Sequence, residues 1–244
     1  LCMIQHPING KIPFELYKFQ EKTIQEFEDN RMNIILKARQ LGISTLTAGY
    51  SLWMMTFHQD KNILVIATKQ DTAKNLVTKV RVMHANLPSW LKQSCVEDNK
   101  LSLKYKNGSQ IKAVSSGTES ARSEALSLLV LDEAAFIDKI DAIWTAAQAT
   151  LTTGGQCIAL STPNGVGNWF HRNWVEAEEG RGLFNFIKLH WTVHPDRDDT
   201  WRKDQDKMLG PSGAAQECDC DFITSGTSVI DGVLLEKCKQ TYNK

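Results

Sequence analysis

The sequence of 244 residues lacks any apolar run of the roughly 18 residues that a membrane span requires. Its first residues also lack the basic start and apolar core of a signal peptide. Six cysteines are present without a C-x-x-C pair, which argues against a disulfide framework. Cys218 and Cys220 are the only close pair, and a tetrahedral metal site needs four ligands. We therefore expect a cytosolic protein without a membrane segment or a structural metal.

The sequence also lacks net charge, because 28 Lys and Arg balance 28 Asp and Glu. These charges are unevenly placed. Residues 61–112 contain ten basic and three acidic residues, a net charge of +7 that the rest of the chain offsets. Such a stretch can form the local basic face that DNA binding requires. Solvated lysines on surface helices would give the same composition, so composition leaves both interpretations open.

Apolar residues make up 42% of the chain, and their spacing alternates between the periods of strands and helices. Short runs that are apolar on both faces predict buried strands at residues 33–36, 62–67, 126–131 and 156–160. Helical spacing predicts helices at residues 14–29, 45–57, 69–85 and 140–149. A hairpin is predicted around Asn107-Gly108, after an extended lead-in over residues 1–13. The pattern predicts an α/β fold whose parallel or mixed sheet is covered on both sides.

From residue 168 onward the composition changes. Trp and Phe become frequent, and glycines and prolines interrupt the pattern. We expect a smaller, less regular subdomain in which the aromatic side chains form the core rather than a platform for stacking bases.

A stretch reading NIILKARQLGISTL combines an apolar run, a polar turn, one glycine and a helix-prone segment. Against the phosphate-loop pattern G-x-x-x-x-G-K-[ST], Gly42 and Ser44 fit, whereas Lys37 replaces the first glycine and Ile43 replaces the lysine. Backbone N–H groups from Gly42 onward could surround an anion at a helix start. The cation that the phosphates need would then come from Lys37 or Arg39.

Two acids, Asp132 and Glu133, follow the most apolar run of the chain. Carboxylates at the end of a buried parallel strand lie in the crevice where α/β sheets bind ligands. In P-loop proteins the first acid holds Mg²⁺, and the second can orient and deprotonate the attacking water. Asp132 and Glu133 suit these two roles.

Two further features lie near these acids in the chain. Ser161-Thr162-Pro163 ends the next predicted strand, where hydroxyls could sense a γ-phosphate, although a plain turn would use the same residues. Arg122 precedes the acidic strand, and an arginine near a phosphate site stabilises charge in the transition state. An ordinary surface arginine is the alternative.

Four motifs occur in the chain: an aromatic-Gln pair near the start, R-Q-L-G with hydroxyls after it, L-L-V-L-D-E-A-A-F-I and S-T-P-N-G-x-G-N-x-F. Together and in this order they resemble the motifs of the large terminase subunit of tailed bacteriophages. The resemblance covers nearly the whole chain and falls on the ATPase half of that family. It implies a P-loop NTPase of the RecA-like ASCE type, with a mostly parallel sheet flanked by helices and a small C-terminal subdomain. Residues 1–167 would form the ATPase core, with an N-terminal adenine-recognition helix, and residues 168–244 the aromatic-rich subdomain.

The resemblance also implies residue roles. Phe19 and Gln20 match the adenine-recognition motif, and Ser161 and Thr162 match the coupling motif. The phosphate loop would comprise Lys37, Ala38, Arg39, Gln40, Leu41, Gly42, Ile43, Ser44 and Thr45. Catalysis and metal binding would fall to Glu133 as catalytic carboxylate, Ser44 and Asp132 as Mg²⁺ ligands, and Arg122 as an arginine finger in cis or in trans.

The implied function is ATP hydrolysis that moves double-stranded DNA into a viral prohead. The implied partners are the portal protein, the small terminase subunit and further copies of this chain in a ring. The setting would be the cytoplasm of the infected bacterium, with transient docking on the prohead portal. The family also carries a nuclease domain, for which 244 residues leave no room, so we expect an excised ATPase domain that does not cut DNA.

Two alternatives remain. A helicase-like translocase shares the glutamine motif and the Asp-Glu pair, but it would need a second RecA-like domain. The replacement of the loop lysine by Ile43 also allows a degenerate module that binds nucleotide without hydrolysing it.

Overall fold

The computed structural model describes residues 2–6, 8–114 and 125–222. In chain order, its elements are β1 (Met3–His6), β2 (Gly10–Pro13), α1 (Lys18–Asp29), β3 (Met32–Lys37), α2 (Ile43–Phe57), β4 (Asn62–Ala67), α3 (Gln70–Ala85), β5 (Cys95–Asp98), β6 (Ser102–Tyr105), β7 (Gln110–Val114), β8 (Leu128–Asp132), α4 (Ile140–Leu151), β9 (Gln156–Ser161), α5 (Trp169–Glu178), β10 (Asn185–Leu189) and α6 (Asp199–Cys218). Short 3₁₀ turns occupy Ala134–Phe136 and Trp191–Val193.

The chain divides into two units. Unit 1 contains Leu1–Asn33 and Gly42–Leu160, and unit 2 contains Ile34–Leu41 and Ser161–Lys244. The division falls inside the phosphate loop, so that residues 37–41 belong to unit 2 and residues 42–45 to unit 1. The assignment of residues 1–167 and 168–244 to two domains stays a prediction.

Unit 1 is built on a mostly parallel sheet with the strand order β9-β8-β4-β7-β6-β5. The pairs from β9 to β7 are parallel, and the last two pairs are antiparallel. All five residues of β8 are buried, and four of them are apolar. Since each buried Val or Leu side chain stabilises the fold by roughly 1.5–3 kcal/mol, this strand anchors the sheet. The predicted α/β class and the mostly parallel sheet are confirmed.

The hairpin predicted around Asn107-Gly108 is also confirmed, because β6 and β7 pair antiparallel. Other local predictions were less accurate. The extended lead-in is itself a hairpin of β1 and β2, and α1 begins at Lys18 rather than at residue 14. Strand β5 was missed because its four residues are all exposed and show no apolar alternation.

Unit 2 is more regular than its glycines and prolines suggest. Strand β10 lies beside β3, and two helices follow the aromatic-rich sequence. Side chains at the helix starts explain this, because Asn168 accepts a hydrogen bond from His171 N and Asp198 accepts one from Trp201 N. The expectation of an aromatic core is confirmed for the buried members Trp169, Phe170, Trp174, Phe184 and Trp191.

Helix α6 contains a break. Gly210 has φ 73° and ψ 161°, which is outside the helical region, and Pro211 follows it. Residues 199–209 and 211–218 are therefore two helical segments rather than one rod. In the part of the chain that the structure describes, neither this helix nor any other is long and apolar enough to cross a membrane.

Candidate functional site

The second half of the phosphate loop forms the start of α2 in unit 1. Gly42 has φ 74°, a left-handed conformation that glycine adopts without the steric cost of a Cβ atom. The next residues open the helix, where the first backbone N–H groups have no partner within the helix and favour an anion. The side chain of Ile43 is only 1% exposed, so it packs in the core. The residue in the lysine's usual place therefore contributes packing and no charge.

Ser44 and Asp132 are brought together in unit 1. Ser44 lies in the first turn of α2, and Asp132 is the last residue of β8. The Ser44 hydroxyl donates a hydrogen bond to Oδ1 of Asp132 over 3.2 Å. Asp132 is 5% exposed and is the one carboxylate among the five buried positions of β8. A hydroxyl and a carboxylate thus meet at the start of a helix and the end of a parallel strand.

Glu133 follows directly and has a strained backbone. Its φ of 55° and ψ of 49° lie in the left-handed region, which costs a residue with a Cβ atom about 1 kcal/mol or more. Its carbonyl accepts a hydrogen bond from Phe136 N and so starts the 3₁₀ turn Ala134–Phe136. Strain of this kind concentrates at functional sites, and here it turns the chain sharply after Asp132.

Gln20, in the first turn of α1, lies beside Gly42. It is 3% exposed, and its Oε1 accepts a hydrogen bond from Tyr17 N over 3.2 Å. A methyl group placed on Gly42 would come within 2.9 Å of Gln20 Nε2. Phe19 is half-buried, and its ring stacks on Tyr17 with centroids 5.7 Å apart and planes 7° apart. Tyr17 was not predicted from the sequence, although its place two positions before Phe19 could have indicated an aromatic pair.

The first half of the loop belongs to unit 2, where backbone hydrogen bonds hold it. Ala38 N donates to Leu189 O over 2.7 Å, and Arg39 N donates to Glu217 O over 2.7 Å. The two candidate cations differ in environment. Lys37 ends β3 and is 6% exposed. The Arg39 side chain is 63% exposed, and its Nε lies 3.8 Å from Oε2 of Glu217.

Arg197 is a second residue that sequence reasoning missed. Its guanidinium donates to Arg39 O over 3.1 Å and to Gln40 O over 3.0 Å. The guanidinium also lies 4.3 Å from the centre of the Trp201 ring. No motif marks Arg197, which is separated from Gln40 by 157 residues.

The remaining predicted site residues are placed as follows. Ser161 and Thr162 are buried, and Ser161 ends β9. The next residue, Pro163, accepts a hydrogen bond at its carbonyl from Gln216 Nε2 over 3.1 Å. Arg122 lies outside the described residues.

These features define the class of the protein. A mostly parallel sheet, a phosphate-loop-like turn that leads into α2, and an acid at the end of β8 are the plan of the P-loop fold of the ASCE type. The family described as "Terminase large subunit, T4likevirus-type, N-terminal" matches residues 34–237. The chain therefore belongs to this family of terminase large-subunit N-terminal domains.

Solved structures share the fold. The ATPase domain of the large terminase of Thermus phage P74-26 is 20% identical, with a TM-score of 0.69, and the match covers 86% of this chain and 95% of that one. A large terminase from a thermophilic bacteriophage, solved in complex with ADP, is 13% identical, with a TM-score of 0.65 and coverage of 84% and 52%. The HK97 bacteriophage large terminase is 21% identical, with a TM-score of 0.64 and coverage of 99% and 50%. The chain spans about half the length of these last two proteins.

Proposed function

We propose that this chain is the ATPase motor domain of a phage large terminase, which couples ATP hydrolysis to the translocation of double-stranded DNA into the prohead. The hydrogen bond of 3.2 Å between Ser44 and Asp132 carries the proposal. It pairs a hydroxyl and a carboxylate of the kind that P-loop ATPases use at their metal, in a chain that belongs to a terminase family.

The proposed nucleotide site uses the two halves of the loop differently. The N–H groups at the start of α2 bind phosphate oxygens, while Gln20 reads the adenine and Phe19 packs on it. We assign the missing cation to Lys37, because Arg39 is largely exposed and faces Glu217. Support for nucleotide binding also comes from the large terminase that was solved in complex with ADP.

The residues present fit a magnesium ion. Mg²⁺ prefers oxygen ligands and usually takes only one or two from the protein, together with phosphates and water. Ser44 Oγ and Asp132 Oδ1 supply such a pair at hydrogen-bonding distance. When bound, the ion would neutralise charge on the β- and γ-phosphates.

Glu133 is the proposed catalytic carboxylate. Its position directly after Asp132 lets it orient a water molecule and accept the proton that this water loses as it attacks the γ-phosphate. The left-handed backbone of Glu133 lies directly after the end of β8, and such strain is common at functional sites. Arg122 is proposed to stabilise the transition-state charge in the site of a neighbouring copy.

Ser161 and Thr162 are proposed to detect loss of the γ-phosphate and to convert it into movement. The basic stretch of residues 61–112, with its net charge of +7, would attract the DNA backbone. The portal protein, the small terminase subunit and a ring of copies are the proposed partners, and the prohead portal in the bacterial cytoplasm is the proposed place of action.

The test is a steady-state ATPase assay at high protein concentration, with and without double-stranded DNA. We expect Mg²⁺-dependent hydrolysis that DNA stimulates. Glu133→Gln should abolish turnover and keep nucleotide binding, whereas Glu178→Gln, on the exposed side of α5, should behave as the wild type. Wild-type turnover in Glu133→Gln would remove this carboxylate from the mechanism.

The burial of Ile43 favours a second candidate, a module that binds nucleotide without hydrolysing it. The same assay separates the two functions. Tight ATP binding with no turnover at any protein or DNA concentration would support the module and overturn the motor. A helicase-like translocase would instead unwind a labelled duplex, which the packaging motor should leave paired.

A further inference from the structure

Arg197 holds two successive peptide groups of the phosphate loop, and this contact lies within unit 2. Its guanidinium donates to the carbonyls of Arg39 and Gln40 over 3.1 and 3.0 Å. Hydrogen bonds from a charged donor are stronger than neutral ones, and two of them from one planar group fix orientation as well as distance. The loop conformation therefore depends on a residue far from it in sequence.

The direction of these carbonyls determines what the loop can bind. None of the described peptide bonds is cis, and in a trans peptide the C=O and N–H groups point in opposite directions. By fixing the carbonyls of Arg39 and Gln40, Arg197 therefore points the N–H groups of Gln40 and Leu41 away from itself. Converging N–H groups of this kind are what a phosphate loop offers to an anion.

The turn needs such support because Gln40 is strained. Its φ is 58°, in the left-handed region that residues with a Cβ atom rarely adopt. Conformations of this kind persist when surrounding contacts enforce them. The hydrogen bond from Arg197 to Gln40 O is such a contact.

Arg197 is itself held in place. Asp198 caps α6 by accepting a hydrogen bond from Trp201 N over 2.8 Å. The ring of the same Trp201 has its centre 4.3 Å from the Arg197 guanidinium, within the range of a cation–π interaction. The Trp201 ring in turn packs against Trp191, with centroids 5.8 Å apart.

We propose that Arg197 is a positioning residue that orients the Gln40 and Leu41 N–H groups toward the nucleotide phosphates. The inference rests on the proposed function for the identity of the ligand. Through the hydrogen bonds to Arg39 O and Gln40 O, the guanidinium acts on the backbone of the loop.

The first test measures hydrogen–deuterium exchange of a peptide covering residues 38–41, without nucleotide. Arg197→Gln removes the cation and should raise the exchange rate about tenfold, because a lost charge-assisted hydrogen bond is worth about one power of ten. Arg197→Lys keeps the charge and should give an intermediate rate. Arg181→Gln is the matched control, since Arg181 is an exposed arginine of the same unit that pairs with Glu179.

The second test measures the Kd for Mg-ATP in the same variants. We expect Arg197→Gln to raise Kd about tenfold, Arg197→Lys to raise it less, and Arg181→Gln to leave it unchanged. A purely structural role would lower the melting temperature and leave the affinity of the folded protein intact. Unchanged exchange in Arg197→Gln, or faster exchange with unchanged Kd, would overturn the proposal.

The two tests also separate this inference from the proposed function. If wild-type protein binds no ATP, the motor proposal fails, whereas the exchange measurement still decides whether Arg197 holds the loop. If Arg197→Gln does not fold, Arg197→Lys replaces it in both tests. We then expect an exchange rate and a Kd above those of the wild type. Wild-type values of both in Arg197→Lys would contradict the proposal.

Discussion

Ser44 Oγ lies 3.2 Å from Asp132 Oδ1, although 88 residues separate them in the chain. The sheet produces this proximity, because α2 starts and β8 ends on the same side of unit 1. The pair is the central feature of the proposed site, and it gives the first of four functional predictions.

Removing either partner should weaken Mg²⁺-dependent nucleotide binding. We expect Ser44→Ala and Asp132→Asn each to raise the Kd for Mg-ATP by about tenfold or more, because each loses an oxygen ligand of the ion. The change should be smaller when EDTA replaces Mg²⁺. Asp71→Asn is the control, since the Asp71 side chain is 92% exposed on α3. Equal loss with and without Mg²⁺ would argue against metal binding by this pair.

Lys37 and Ile43 should respond differently to truncation. Lys37→Ala is expected to weaken ATP binding strongly, because it removes the proposed phosphate cation. Ile43→Ala should cost about 2–4 kcal/mol of unfolding free energy by leaving a cavity, with little change in ATP affinity of the folded protein. Urea unfolding and ATP titration measure the two effects, and equal losses of affinity would contradict a cation at the front of the loop.

Gly42→Ala should impair nucleotide binding for two reasons. The left-handed φ of 74° would strain alanine by about 1–2 kcal/mol, and the new methyl group would lie 2.9 Å from Gln20 Nε2. Gly10→Ala is a matched control, because Gly10 has φ 68° and nothing within 4 Å of the added atom. Both variants should lose stability, and only Gly42→Ala should lose ATP affinity. Similar affinities in the two would show that the contact with Gln20 is unimportant.

Gln216 should affect turnover more than binding. Its Nε2 donates to Pro163 O over 3.1 Å, next to the proposed sensor residue Thr162. We expect Gln216→Ala to lower kcat severalfold and to leave the KM for ATP within about twofold. Gln205→Ala, elsewhere on α6, serves as the control. A change confined to KM would place Gln216 in nucleotide binding instead of the later step.

A fifth prediction concerns stability alone. Arg202 donates to both carboxylate oxygens of Asp219, over 2.9 and 2.7 Å, and its side chain is 17% exposed. Arg202→Gln should lower the free energy of unfolding by about 2 kcal/mol, because the partly buried carboxylate loses its paired charge. Urea denaturation checks this value, with Lys203→Gln as an exposed control on the same helix. Equal stability of the two variants would contradict a role for the pair.

The central sheet could be predicted because its strands are apolar on both faces, as β4 and β8 illustrate. Short apolar runs bounded by polar residues predict buried strands and are too short for most helices. Strand β5 is fully exposed, and the β1–β2 hairpin carries no strong apolar alternation. Their positions depend on pairing with neighbouring strands, which a local pattern does not contain.

The candidate site also contains residues that the sequence predicts and one residue that it does not. Asp132 could be predicted because it ends an apolar run, and Ser44 because it fits a loop pattern. Arg197 could not be predicted, because its role comes from two backbone carbonyls 157 and 158 residues away. Every residue has a backbone carbonyl, so the residue types at positions 39 and 40 do not reveal that an arginine binds there.

The break at Gly210 has a mechanical consequence. Pro211 has no N–H group, so rotation at this joint breaks no hydrogen bond that Pro211 could donate. The helix is thus interrupted between the segment that contains Trp201, whose ring lies against Arg197, and the segment that contains Gln216 and Glu217. The two segments reach the phosphate loop at different backbone groups: Arg197, just before the first segment, donates to Gln40 O, and the carbonyl of Glu217 in the second accepts from Arg39 N. Successive residues of the loop therefore depend on helical segments that no continuous ladder of backbone hydrogen bonds joins.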